Sequence, residues 1–180
     1  MVRVILVALA AIVVSLVVVV AFQPSAFVIE RSTTIDAPAA TIYPHLVSPR
    51  AMNEWSPFAQ GDPKLKIEYS GPEAGIGAVS AWQSPQTGDG SMTVTEAVPG
   101  RQVGMRLDFL RPMKATNSAR FTLEPAGSAT RVTWRMEGNN GFVGKAFSLV
   151  VSMDKMVGGE FEKGLAQLKS LSEREAHGAS

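Results

Sequence analysis

Apolar and polar positions alternate with a period of two between Lys64 and Glu137, and the period changes to steps of three and four beyond it. Leu65, Ile67 and Tyr69 alternate with Lys64, Lys66 and Glu68, which predicts a strand with one apolar face. The same rule predicts strands over Ala78 to Gln83, Ser91 to Ala97, Val103 to Phe109, Ala115 to Leu123 and Thr130 to Glu137. Gly71-Pro72, Gly75-Ile76-Gly77, Thr87-Gly88-Asp89-Gly90, Pro99-Gly100 and Pro125-Ala126-Gly127 supply the turns between them. Upstream, Phe27 to Ile35 is β-rich and predicts a first strand. Asp36 is placed to cap a helix with Pro38 in its first turn, and Pro44 is expected to bend or shorten it. Ser48-Pro49 starts a second short helix through Met52, which leaves Trp55 in the loop that follows.

After Gly138-Asn139-Asn140-Gly141, the residues Val150, Met153, Val157, Phe161, Leu165, Leu168 and Leu171 form one stripe of an amphipathic helix of roughly 25–30 residues. Gly158-Gly159 lies mid-helix, where each Gly costs about 1 kcal/mol relative to Ala, so a kink or a close approach to the sheet is expected there. From residue 176 the chain is small and polar and predicts a disordered tail. Connections this short imply consecutive antiparallel hairpins. The fold class is therefore α+β: a curved antiparallel sheet of about seven strands around a long C-terminal helix, with two short helices after strand 1. Residues 27–175 form one domain. A sheet that wraps a single helix tends to leave a hollow between them.

Val4 to Phe22 carries no charge and only one polar side chain, Ser15. At about 1.5 Å per residue it spans about 28 Å, the thickness of a bilayer's hydrocarbon core. A cleaved signal peptide is the competing reading, but its apolar core is normally shorter and its n-region more basic than a lone Arg3. Residues 1–26 are therefore expected to be a single-pass signal anchor and a short linker. Arg3 favours the N-terminus inside, which puts the domain on the outer (periplasmic or extracytoplasmic) side, and Arg31 on the other flank works against it.

Composition removes several function classes. Lys and Arg number 17 against 16 Asp and Glu, so the chain lacks the basic surplus of a nucleic-acid binder, and no nucleic-acid partner is expected. There is no cysteine, hence no disulfide and no thiol nucleophile. Two histidines, His45 and His177, give no metal-ligand cluster. No nucleophile elbow or phosphate loop occurs, and no cofactor is implied. His45, near a helix end, is expected to be solvated or capping rather than a base. Glu96 is the one catalytic candidate. Its parity with Met92 and Val94 points the carboxylate inward, whereas its place at a strand end points it to water.

The segments Trp55-Ser56-Pro57-Phe58, Tyr69-Ser70-Gly71-Pro72 with Gly75-Ile76-Gly77 and Trp82, Pro99-Gly100, Thr130-Arg131-Val132-Thr133-Trp134 with Met136, and Phe161-Glu162-Lys163-Gly164-Leu165 with Leu168-Lys169 occur in this order. Together they resemble the START-like (SRPBCC) superfamily, in particular its polyketide cyclase/dehydrase and lipid transport branch. The resemblance covers most of Phe27 to Glu173. It implies the helix-grip fold and an apolar ligand cavity between sheet and C-terminal helix. Members of the superfamily include lipid carriers, hormone receptors and cyclases, so the resemblance implies no single activity.

Within that frame the residues expected to face the ligand are Tyr69, Trp82, Met92, Val94, Met105, Leu107, Phe109, Phe121, Trp134 and Met136 from the sheet. Met153, Val157 and Phe161 meet them from the helix, and Trp55 forms the rim. A filled core would use the same residue types. Three readings follow. The first is a membrane-anchored module that binds a lipid or other hydrophobic small molecule. The others are a cyclase or dehydratase acting through Glu96, and a protein-interaction module of a membrane complex.

Overall fold

The computed structural model describes residues 2–60, 62–86 and 88–178. The chain opens with helix α1 (Val2–Phe22), followed by strand β1 (Ala26–Ile35) and the short helices α2 (Ala39–Val47) and α3 (Pro49–Trp55). Six strands come next: β2 (Lys66–Ser70), β3 (Val79–Ser84), β4 (Gly88–Val98), β5 (Gln102–Arg111), β6 (Ala115–Ala126) and β7 (Ala129–Asn139). Helices α4 (Phe142–Ser148) and α5 (Met153–Gly178) complete the described chain. The strands form one antiparallel sheet in the order β1-β7-β6-β5-β4-β3-β2. Successive hairpins account for β2 to β7, and β1 closes the sheet beside β7. This is the helix-grip arrangement, with α5 laid across the inner face.

Parity decides which side chains enter the core. Ile29 and Ile35 of β1, Met92 and Val94 of β4, Val103 and Met105 of β5, Phe121 and Leu123 of β6, and Val132, Trp134 and Met136 of β7 are buried on one face. Phe161, Leu165 and Leu168 of α5 are buried in the same core, as are Ile42 and Leu46 of α2.

Local details differ from the sequence pattern in places. Asp36 does not cap α2, whose N-cap is Pro38 and makes no side-chain cap bond. Its backbone N–H instead donates to the Glu173 carboxylate of α5 at 2.8 Å. Pro44 removes one backbone donor inside α2 without ending the helix. Gly88, Asp89 and Gly90 are not a turn but the start of β4, while Thr87 lies outside the described residues. Gly90 pairs with Trp82, and a Cβ at Gly90 would lie 2.4 Å from the indole, so this glycine makes room for a ring.

The long C-terminal helix is α5, 26 residues as expected, and the short helix α4 that precedes it is an addition. Ser152 starts α5: its Oγ accepts from the Lys155 N–H at 3.3 Å and its carbonyl accepts from Met156 N–H. Val150, counted in the apolar stripe, lies in the break and is 87% exposed. At the other end α5 continues through Gly178, so the tail expected from residue 176 is helical that far; residues 179 and 180 lie outside the described residues.

Candidate hydrophobic site on the concave face

The inner face has a filled half and an open half. In the filled half, α3 extends to Trp55, which is 1% exposed and donates its indole N–H to the His45 carbonyl at 3.0 Å. Trp55 is therefore core, not rim. Its ring stands edge-on to Phe121 and Trp134, at centroid distances of 5.9 and 5.6 Å. Trp134 stacks on Phe161 at 3.9 Å with the planes 5° apart, and Phe58 stands edge-on to both rings. The rings of Trp55, Phe121, Trp134 and Phe161 thus fill this half of the grip, where a hollow was expected, and Phe58 covers them from an exposed position. Shallow, open depressions of about 450 and 440 Å³ lie on the surface, one along the outer side of α5 around Lys169 and Arg174, another at the sheet end around Asn117, Gly138 and Phe27.

The open half lies toward the end of the sheet where β1 begins. Pairing puts Trp82, Gly90 and Phe109 at one level, with Leu107 opposite Asn117. Trp82 meets Phe109 edge-on at 5.8 Å. Trp82, Leu107 and Phe109 are half-buried, as are Met153 and Val157 of α5. Asn117 sits among these inward positions of β6, and its buried Oδ1 has no hydrogen-bond partner. Tyr69 is also half-buried, its hydroxyl accepting from Asn53 Nδ2 at 2.9 Å with Arg50 over its ring. The candidate set thus divides. Trp55, Met92, Val94, Met105, Phe121, Trp134, Met136 and Phe161 are core, and Tyr69, Trp82, Leu107, Phe109, Met153 and Val157 keep partly open surfaces.

Glu96 faces away from this region. The β4–β5 register shifts between Val94 and Glu96, and this bulge reverses the parity that pointed the carboxylate inward. Glu96 lies over Gly104 and pairs with Arg120 on the outer face at 3.5 Å, its side chain 42% exposed. His45 is likewise not solvated. It is buried, and its Nε2 lies 2.8 Å from Glu175 Oε2 of α5. It joins α2 to α5 and no step is assigned to it. Among the described residues no cluster of His, Cys, Asp or Glu is arranged to hold a metal ion.

Residue spacing alone gave no sign of Arg31. It lies on the inner side of edge strand β1 and reaches under α5. Its guanidinium bonds both Asp154 carboxylate oxygens at 3.0 Å, the Asp154 carbonyl at 3.1 Å and Glu162 Oε1 at 2.7 Å. These bonds hold the Asp154 carboxyl below the usual carboxylate range and raise the guanidinium above its own. Lys169 Nζ donates to the Thr34 carbonyl at 2.7 Å, so α5 is pinned to β1 along its length.

Residues 26–173 match the model of the family described as polyketide cyclase / dehydrase and lipid transport. The chain belongs to this family. Comparison with curated proteins gives no match. Solved structures share the fold of this family member. Truncated norcoclaurine synthase from Thalictrum flavum superposes with a TM-score of 0.62 at 14% identity, over 83% of this chain and 94% of that one. Protein CV1439 from Chromobacterium violaceum gives 0.59 at 17%, over 81% and 96%. The Aha1 dimer from Colwellia psychrerythraea gives 0.52 at 19%, over 86% and 99%.

Proposed function

We propose that this family member binds a hydrophobic small molecule or lipid in the open half of its concave face, and that α1 tethers it to a membrane. The observation that carries the reading is the partly uncovered apolar surface of Trp82, Leu107, Phe109 and Val157 beside the unpartnered Asn117 carbonyl. Binding sites combine mostly apolar walls with a few polar groups that fix orientation, and this half of the grip has both. The family description, which includes lipid transport, agrees with it. In this reading residues 27–175 are the ligand-binding domain and residues 1–26 the anchor and linker. The apolar span Ile5–Phe22 near the N-terminus is long enough to cross a bilayer. Tethering keeps the pocket at high effective concentration of a poorly soluble ligand.

Native mass spectrometry with solvent extraction tests the binding reading on residues 24–180, produced without α1. The expected result is a co-purified apolar mass that is lost in Leu107→Trp, which fills the open half from a half-buried position. Retention of the same mass by a folded Leu107→Trp variant would place the ligand elsewhere. An empty protein that takes up no hydrophobic dye would end the binding reading.

A further inference from the structure

The end of the sheet that holds the open half is also the end from which α1 leaves. β1 begins there, β7 ends there, and the β5–β6 hairpin and the N-terminus of α5 lie at the same level. This end carries six exposed large apolar side chains: Phe142, Val143 and Phe147 of α4, Val150 after it, and Leu110 and Met113 at the hairpin. A surface so apolar in water calls for a partner. The backbone already joins it to α1. Helix α4 packs on the end of α1, where Val20 is 2% exposed, Lys145 Nζ donates to the Ala21 carbonyl at 3.3 Å, and Asn140 N–H donates to Ser25 at 2.7 Å. Only Gln23, Pro24 and Ser25 separate α1 from β1, and three residues reach at most about 10 Å.

We propose that this end of the domain docks on the bilayer that holds α1. Helix α4 lies in the headgroup layer and the β5–β6 hairpin tip dips beside it, so the open half of the concave face meets lipid directly. The proposal rests on the reading of α1 as an anchor. Continuity with α1 selects the bilayer over a second copy of the chain, because the linker cannot lift the surface clear of the membrane. Short amphipathic helices beside an anchor bind in this interfacial layer through their apolar face. The exposed Lys114 and Lys155 at the same end suit anionic headgroups.

The chain has no cysteine, so single cysteines report one position each. The full chain is reconstituted in vesicles of phosphatidylcholine and phosphatidylglycerol, with an environment-sensitive fluorophore at Phe147→Cys, Met113→Cys, Val13→Cys in α1, or Ala126→Cys at the opposite end of the sheet. Blue-shifted emission at Phe147→Cys and Met113→Cys, lost on replacing the lipids by brominated ones, with Ala126→Cys unaffected, is the expected result. Quenching at Val13→Cys alone would overturn the docking and leave the anchor standing. Absence of quenching at Val13→Cys as well would remove the anchor and the docking together. A blue shift at Phe147→Cys that brominated lipid does not quench would assign the surface to a second copy, against the proposal.

Discussion

At the scale of single residues, Gly158, Gly159 and Gly164 all lie in α5, and an added methyl group meets something different at each. At Gly159 nothing lies within 4 Å of the new carbon. Gly159→Ala therefore gains helix propensity at no packing cost, and is expected to stabilise the domain by about 0.5–1 kcal/mol. At Gly164 the carbon would lie 2.9 Å from the Trp134 ring, 3.0 Å from Pro57 and 3.3 Å from Trp55. All three neighbours are rigid and two are buried, so Gly164→Ala is expected to destabilise by about 1–3 kcal/mol despite the better propensity. At Gly158 the obstacle is the Arg31 guanidinium at 2.2 Å, which is held by Asp154 and Glu162 and must leave them to make room. Urea denaturation of the two alanine variants at Gly159 and Gly164 checks the opposite signs. A shared sign would mean that α5 does not approach the sheet as described.

Among the elements, the junction of α5 with β1 depends on charge. Asp154 titrates below the ordinary carboxylate range because Arg31 bonds it. Between the two values the unfolded chain binds the proton and the folded one does not. The contribution is thus complete above the unfolded value, about pH 4, and is lost as pH falls through the folded one. Asp62, Asp89, Asp108 and Glu173 are shifted the same way by their own hydrogen bonds, so acid weakens several junctions at once. Asp154→Asn is expected to melt below the parent near neutrality and to converge on it as the pH is lowered past about 4; thermal melts across that range check it, and a constant gap would detach Asp154 from the effect. The strands of the sheet were legible where apolar and polar residues alternate every two positions, as they do from Val103 to Phe109 in β5. Where the period was interrupted, legibility failed. The bulge before Glu96 reversed its parity, and Val150 fitted the helical stripe although Ser152 starts a new helix after it. Arg31 looked like a flanking charge because its partners lie 123 and 131 residues away.

Considered as a whole, the molecule separates its packed core from its open apolar surface along the axis of the grip. The far half holds the ring cluster and the helices that brace it; the half next to α1 holds the open surface. Two phenyl- or indole-bearing positions on the same sheet should therefore respond differently to truncation. Trp134→Ala removes the ring that stacks on Phe161 and touches Trp55 and Phe121. It is expected to cost about 3–5 kcal/mol, which in a domain of this size lowers Tm by roughly 10 °C. Phe109 is half-buried and its described ring partner is Trp82, so Phe109→Ala should cost only about 1 kcal/mol. Loss of a comparable contact with a ligand weakens affinity about fivefold to tenfold. Calorimetry for stability, beside titration with a fluorescent acyl probe for affinity, separates the two positions. If Trp134→Ala lost affinity while keeping its Tm, the ligand would lie in the middle of the grip and the ring cluster would be its wall. A Phe109→Ala variant with parental affinity would remove the open half from the binding site.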